Sequence, residues 1–515
     1  MLSLSSISTR SRYRRTHLVL YSLLAVCLLS PMTSRAQVTF NGVNGKQYTT
    51  FNFQAVGALS RTISLPFTIG SSVSTTVGSI AILTTGIAGK DFSQVTGSTS
   101  CVPGTYAAAT DCIINVTFKP LAPGLRIGAV VFYSGKSATS SVLASVPIYG
   151  TGSGPLAVFG SQGIQINVGQ GFIYPAGVAI DAAGDVFVTD LVFQEVFKVA
   201  PNGTKTQVGG ELEVPEAVAV DGAGNVYVAD SEAAAVFKIT PGGVQTTVGT
   251  GFSYPNGIAV DGQGNLYVTD PFIDEVVKIA PSGKQTTVGS NYNTPAGVAV
   301  DAADNVYVAD TYNQAVFKIT PNGTQTTIGK NLVSPAAVAT DAAGDVYVTD
   351  DGTNALYEVT PSGTQITIAT GLDVPDGVAA DAAGNLYVAN SYDERAIKLD
   401  RTDNPSLHFD TTKIGSTSQD SPRTVLITNV GNSPLKFSGL TYPANFPEVS
   451  ADDNCASATS LAAAADCAIT IAFKPVSPVS GKSSALTGGV KFTSNTLNVP
   501  GITKQVDVSS TETAK

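Results

Sequence analysis

The chain has 515 residues, too many for one compact core, and only 13% of them are charged, while Gly (51) and Pro (27) are abundant. That balance disfavours amphipathic helices and points to an all-β protein of about three domains, built from short strands and tight turns. Acidic residues outnumber basic ones 39 to 29, which argues against nucleic acid as a partner, because neutralising phosphates takes a basic surface.

Residues 1–36 read as an export signal. Arg10, Arg12, Arg14 and Arg15 precede an apolar run at 18–29, and Ser34, Arg35 and Ala36 offer a small-residue cleavage site. The run is shorter than the roughly 20 residues a spanning helix needs, and no second one follows, so the mature chain is expected to lack a membrane-spanning segment. A twin-arginine signal at Arg14 and Arg15, or a lipid-attachment box ending at Cys27, fits less well, because His17, Val19 and the bulky Val26 depart from those patterns. Loss of the segment leaves 24 basic residues against 39 acidic ones. It also leaves four cysteines in two close pairs, Cys101 with Cys112 and Cys455 with Cys467, expected to form two short-loop disulfides in an exported chain. Neither pair has metal-ligand spacing or a neighbouring histidine, which argues against zinc.

Residues 37–154 contain strand-like runs such as 61–69, separated by Gly-rich turns, and predict a β-sandwich. The next unit, 155–403, is repetitive. Six segments align without a gap at a period of 40, marked by Pro175, Pro215, Pro255, Pro295, Pro335 and Pro375 and by Asp181, Asp221, Asp261, Asp301, Asp341 and Asp381. Each copy predicts four short strands, such as 257–260, 265–269, 276–279 and 285–288 in the third. An Asp-x-x-Gly turn joins the first two strands, and a Pro-x-Gly turn joins the last two. Four-stranded units of this size are propeller blades, and a tryptophan-based repeat is excluded because the chain has no Trp. The pattern P-x-G-V-A-V-D-x-x-G-N-V-Y-V-A-D resembles the NHL repeat, which implies a six-bladed β-propeller. The sixth copy lacks its outer strand after residue 400, while residues 163–169 align with the outer strands at 203–209 and 243–249. That segment is expected to complete the last blade and fasten the ring.

Residues 404–515 mirror the first unit. Cys467-Ala-Ile-Thr-Ile-Ala-Phe-Lys-Pro475 corresponds to Cys112-Ile-Ile-Asn-Val-Thr-Phe-Lys-Pro120. Both units resemble the immunoglobulin-like domains called ASH or choice-of-anchor D in exported bacterial proteins, a resemblance that implies spacer or contact modules around the propeller.

The inventory for catalysis is thin. Only His17 and His408 exist, so a Ser-His-Asp triad or a His-based metal site in the propeller is excluded, and His408 reads as an exposed strand residue. The Asp181 series is expected to bond the backbone of its own turn. Asp190, Asp230, Asp270, Asp310 and Asp350, with Asn390 sixth, end the second strands on one face. They form a weak candidate ring for Ca2+, with support of the repeat the stronger reading. Loops on that face hold the binding candidates: Phe172, Phe193, Glu195, Glu213, Glu232, Phe252, Phe272, Asp274, Glu275, Tyr292, Tyr312, Asn313, Tyr392, Asp393 and Arg395. Mixed aromatic and acidic loops suit a protein or glycan partner. The expectation is therefore an exported, non-catalytic recognition protein of the cell envelope or extracellular space, with no required cofactor. The alternatives are a divalent-cation-dependent lactonase or lyase, as the NHL resemblance allows, and a structural envelope component.

Overall fold

The computed structural model describes residues 38–70, 74–160, 164–450, 453–455, 460–476 and 484–513, so the expected signal at 1–36 and Gly163 lie outside the described residues. Strands dominate, and the one helical turn among the described residues is the 3-10 segment Thr496–Asn498. Among those residues no helix is long and apolar enough to cross a membrane.

The 40-residue repeats fold as successive four-stranded antiparallel sheets. The first comprises Pro175–Ile180, Val186–Asp190, Glu195–Val199 and Lys205–Val208, and the inner strands of the next four are Pro215–Val220, Ile258–Val260, Pro295–Val300 and Pro335–Thr340. Valine or leucine alternates with an aromatic residue, Phe187 in the first sheet and tyrosine in the others, along the second strands, all of whose residues are buried, because each sheet is packed between two others. Separate apolar clusters fill the gaps, for example Tyr227 and Ala229 against Ile258, Val268 and Ile279. The sixth sheet, Pro375–Ala380, Leu386–Asn390 and Arg395–Asp400, takes its fourth strand from Ile164–Asn167, as the alignment of 163–169 predicts. Tyr387 and Ala396 of this sheet pack with Phe172, Val178 and Val188 of the first, so the six sheets form a closed cycle. Near the axis the backbones nearly touch: a Cβ on Gly377 would come 2.2 Å from the carbonyl oxygen of Ala176.

Two sandwich-like units flank the ring. In the first, Val38–Phe40, Ile63–Ile69, Thr110–Phe118 and Phe92–Gln94 face a five-stranded sheet that includes Gly124–Tyr133 and Val142–Ser153. Phe51, Phe67, Phe92, Phe118 and Phe132 fill the space between them. In the second, Phe409, Phe437, Phe446, Phe473 and Phe492 do the same. The two expected disulfides are present, Cys101–Cys112 and Cys455–Cys467, each buried in its own core. His408 is exposed at the end of Ser406–His408, as expected.

Ala157–Phe159 precedes the first repeat yet pairs with Arg423–Asn429 of the last unit, burying Phe159 in that unit's core. The two flanking units also meet directly, with Asn432 accepting from the Gly154 N–H at 2.9 Å and donating to the Gly152 carbonyl at 2.8 Å.

Both units rest on the same face of the ring, the one carrying the Asp-x-x-Gly turns. Leu83, Ala129, Val131 and Tyr133 pack on Ala223 of the second sheet's turn, and the Gly86 N–H donates to the Gly222 carbonyl at 3.1 Å. The Tyr149 ring lies against Gly262, and Leu156, Val158 and Val430 close over Gly384. A Cβ at Gly222 would sit 2.2 Å from the Gly128 carbonyl oxygen, and at Gly262 2.5 Å from the Tyr149 ring. Gly222→Val with Gly262→Val is therefore expected to undock the first unit and leave the ring folded. Small-angle scattering should show a larger radius of gyration with unchanged strand content by circular dichroism; an unchanged radius would refute the docking contact.

Candidate functional site

The docked units leave the other face of the ring open. It is built from the turns after each second strand and the loops leading into the next sheet. Its scaffold is the carboxylate series at the ends of the second strands. Asp190, Asp230, Asp270, Asp310 and Asp350 are fully buried, and their oxygens accept backbone N–H groups. Asp230 takes those of Glu213 at 2.7 Å and Val214 at 2.8 Å. Asp350 takes Val333 at 2.8 Å and Ser334 at 3.0 Å, and Asn390 takes Asp373 at 2.7 Å. Each side chain thus clamps the lead-in loop of its own sheet onto the adjacent turn. These contacts are the repeat-supporting role that the sequence favours for this series over a cation ring. Among the described residues no group of three or more His, Cys, Asp or Glu side chains is arranged to hold a metal ion. Burial raises the Asp310 carboxyl above the usual range, against the hydrogen bonds from Asn293 and Asn313.

The Asp181 series behaves as expected on the covered face. Asp221 Oδ1 accepts the N–H groups of Ala223 and Asn225, both at 2.9 Å, and its Oδ2 accepts Asn225 Nδ2 at 2.7 Å and the Tyr227 hydroxyl at 3.1 Å.

Three binding candidates are corrected. Phe172, Phe252 and Tyr292 are buried, at 4%, 8% and 6% exposure. They share one repeat position with the buried Leu212, Leu332 and Leu372 and plug the gaps between sheets. Phe172 also supports Lys205, whose Nζ lies 4.5 Å from its ring centroid and 4.1 Å from that of Phe197.

The remaining candidates stand on the open face. Phe272 (72% exposed), Tyr312 (58%), Tyr392 (57%) and Phe193 (42%) present their rings to solvent. Glu213, Glu232, Asp274, Asn313 and Arg395 are exposed, while Glu195, Glu275 and Asp393 are half-buried. Several are engaged: Asp274 accepts the Thr294 N–H at 2.8 Å, Asn313 donates to Asp310 at 2.9 Å, and Arg395 pairs with Asp393 at 2.7 Å.

The structure adds residues that sequence reasoning missed. Glu216 Oε1 accepts the Ser231 hydroxyl at 3.1 Å and the Tyr254 hydroxyl at 2.8 Å, and the Tyr254 ring stacks on Phe272 at 4.6 Å. A second grouping mirrors it: Ser391 Oγ lies 2.8 Å from Asp376 Oδ2, and Tyr392 meets Tyr174 edge-on at 5.6 Å. The signal was in the repeat, where the position after the marking proline reads Ala176, Glu216, Asn256, Ala296, Ala336 and Asp376.

With this geometry in place, the chain can be set beside known proteins. The NHL-repeat family model matches residues 292–319. That stretch spans the lead-in loop and first three strands of the fourth sheet. No curated protein matches. Among solved structures, a gluconolactonase from Xanthomonas campestris is similar at 14% identity, covering 48% of this chain and 95% of its own, with a TM-score of 0.43. A virginiamycin B lyase from Staphylococcus aureus is similar at 18% identity, covering 44% and 80%, with a TM-score of 0.38. An auxiliary nutrient binding protein from Bacteroides thetaiotaomicron is similar at 11% identity, covering 67% and 94%, with a TM-score of 0.39.

The clamp carboxylates make a direct prediction. Asp230→Ala would leave the buried N–H groups of Glu213 and Val214 without acceptors, at a cost of about 2 to 4 kcal/mol. Asp230→Asn should lose less, since Asn390 already performs this role. Urea midpoints of the two variants measure the difference, and equal losses would mean that charge rather than acceptor geometry matters.

Proposed function

We propose that the chain is an exported recognition protein in which a six-bladed propeller, flanked by two immunoglobulin-like sandwiches of the ASH type, contacts a protein or glycan partner through its open face. The observation that carries this reading is the asymmetry of the ring: one face is covered by the flanking units, while the other exposes Phe272, Tyr312, Tyr392 and Phe193. Exposed aromatic rings among carboxylates supply large contact area at small entropic cost, as interface anchors do. The fully buried clamps beneath them hold the loops in place before any partner arrives, which lowers the cost of association. The two disulfides support an oxidising, non-cytoplasmic location.

A non-catalytic role is supported by the clamp carboxylates, which are spent on backbone N–H groups, and by the absence of histidine among the described residues of the ring, which leaves the Ser231–Glu216 and Ser391–Asp376 pairs without an imidazole base. Immobilised mature protein should retain a partner from envelope extracts or on a glycan array. Phe272→Ala with Tyr392→Ala, both at exposed sites, should weaken that capture roughly thirtyfold, equivalent to about 2 kcal/mol, without lowering the melting temperature. Retention that is undiminished in the double variant, or no retention by the wild type, would contradict the reading.

A further inference from the structure

The fifth sheet breaks the pattern of its turn. In four sheets the residue four positions after the turn aspartate is asparagine, and Nδ2 of Asn225, Asn265, Asn305 and Asn385 donates to the aspartate at 2.7, 2.7, 2.7 and 2.8 Å. In the first sheet an aspartate, Asp185, stands there and is paired with Lys198. The fifth sheet has Asp345, which is 0% exposed, and neither of its carboxylate oxygens has a hydrogen-bond partner. The lysine is missing too, because Glu358 occupies the strand position held elsewhere by Lys198, Lys238, Lys278, Lys318 and Lys398.

The balancing cation arrives from outside the sheet. Arg401, just past the last strand of the ring, is 1% exposed and donates to the Tyr347 hydroxyl at 2.8 Å and to Glu358 at 3.4 Å. Tyr347 in turn donates to Asp341 at 2.9 Å. Asp466 of the last flanking unit also bears on Glu358. One guanidinium therefore faces Asp341, Asp345 and Glu358 in an interior where uncompensated charge is expensive.

We propose that Asp341 and Asp345 share one proton at neutral pH, with protonated Asp345 donating as the asparagines do in the other sheets, and that loss of this proton opens the turn at 341–345. Because Gly124 of the first flanking unit rests on Ala342, the opening also loosens that dock. Burial first, then the neighbouring Asp341 and Glu358, hold the Asp345 carboxyl above its usual range, and burial raises Asp341 as well. Glu358 is pushed up to about 7 by burial, in spite of Arg401. A carboxyl raised in the folded state contributes stability that is complete below the ordinary carboxylate range and is lost as pH rises through the raised value. The cluster is thus an alkaline switch, independent of what the open face binds.

Hydrogen exchange of the amides at 341–347, compared at each pH between the wild-type chain and Asp345→Asn, cancels the intrinsic pH dependence of exchange. Between the ordinary carboxylate range and the raised value the wild-type rate should climb about tenfold per pH unit relative to the variant, the slope of one proton, and level off above it. A second variant, Asn305→Asp, places the same acid in the fourth sheet, where Lys318 is available as Lys198 is in the first, and should show no such climb in its own turn. A constant ratio between wild type and Asp345→Asn from pH 6 to 10 overturns the shared proton. An equal climb at 301–307 in Asn305→Asp overturns the role assigned to the missing lysine.

Discussion

A ring of sheets is only as closed as its seam, and here the seam is the antiparallel pairing of Ile164–Asn167 with Arg395–Asp400, four residues in register from Ile164 opposite Asp400 to Asn167 opposite Ile397. Borrowing the last sheet's outer strand from the start of the ring leaves no open edge at the junction. It also brings both ends of the ring to one place. The ring's first strand begins at Ile164 and its last ends at Asp400, opposite each other, so the two flanking units must emerge side by side. The pairing of Ala157–Phe159 with Arg423–Asn429, and the burial of Arg401 between ring and flank, follow from that convergence.

Symmetry and its violation divide the work. Positions that recur every 40 residues hold the scaffold: the turn aspartates, the clamp aspartates, the interlocking plugs from Phe172 to Leu372. Positions that vary carry everything specific, whether exposed aromatics on the open face, glycines and alanines shaped to receive the flanking units, or the exchange of lysine for Glu358 in the fifth sheet. A residue that the fold needs six times is a poor candidate for recognition, and one that it needs once is a better one.

The repeat made the ring legible from the sequence, down to its closing strand, because strand, turn and period agree in every copy. The disulfides were legible from spacing and the export context. The site was only half legible. Phe172, Phe252 and Tyr292 looked like loop aromatics because three aromatic residues and three leucines share that position, which hid its periodicity; comparison with Leu212 would have exposed it as core. Glu216 and Asp376 were overlooked because they sit at the start of inner strands rather than in loops. The docking of the flanks was invisible, since Gly222 and Gly262 read as ordinary turn residues and nothing local says what presses on them.

The closed ring underlies all of this, and hydrogen exchange at Arg395–Asp400 tests it most directly. Paired on both sides, these amides should be as protected as those of Glu195–Val199, the corresponding strand of the first sheet. Exchange at the rate of an unpaired edge strand, with Glu195–Val199 still protected, would show that the seam is open and contradict the account.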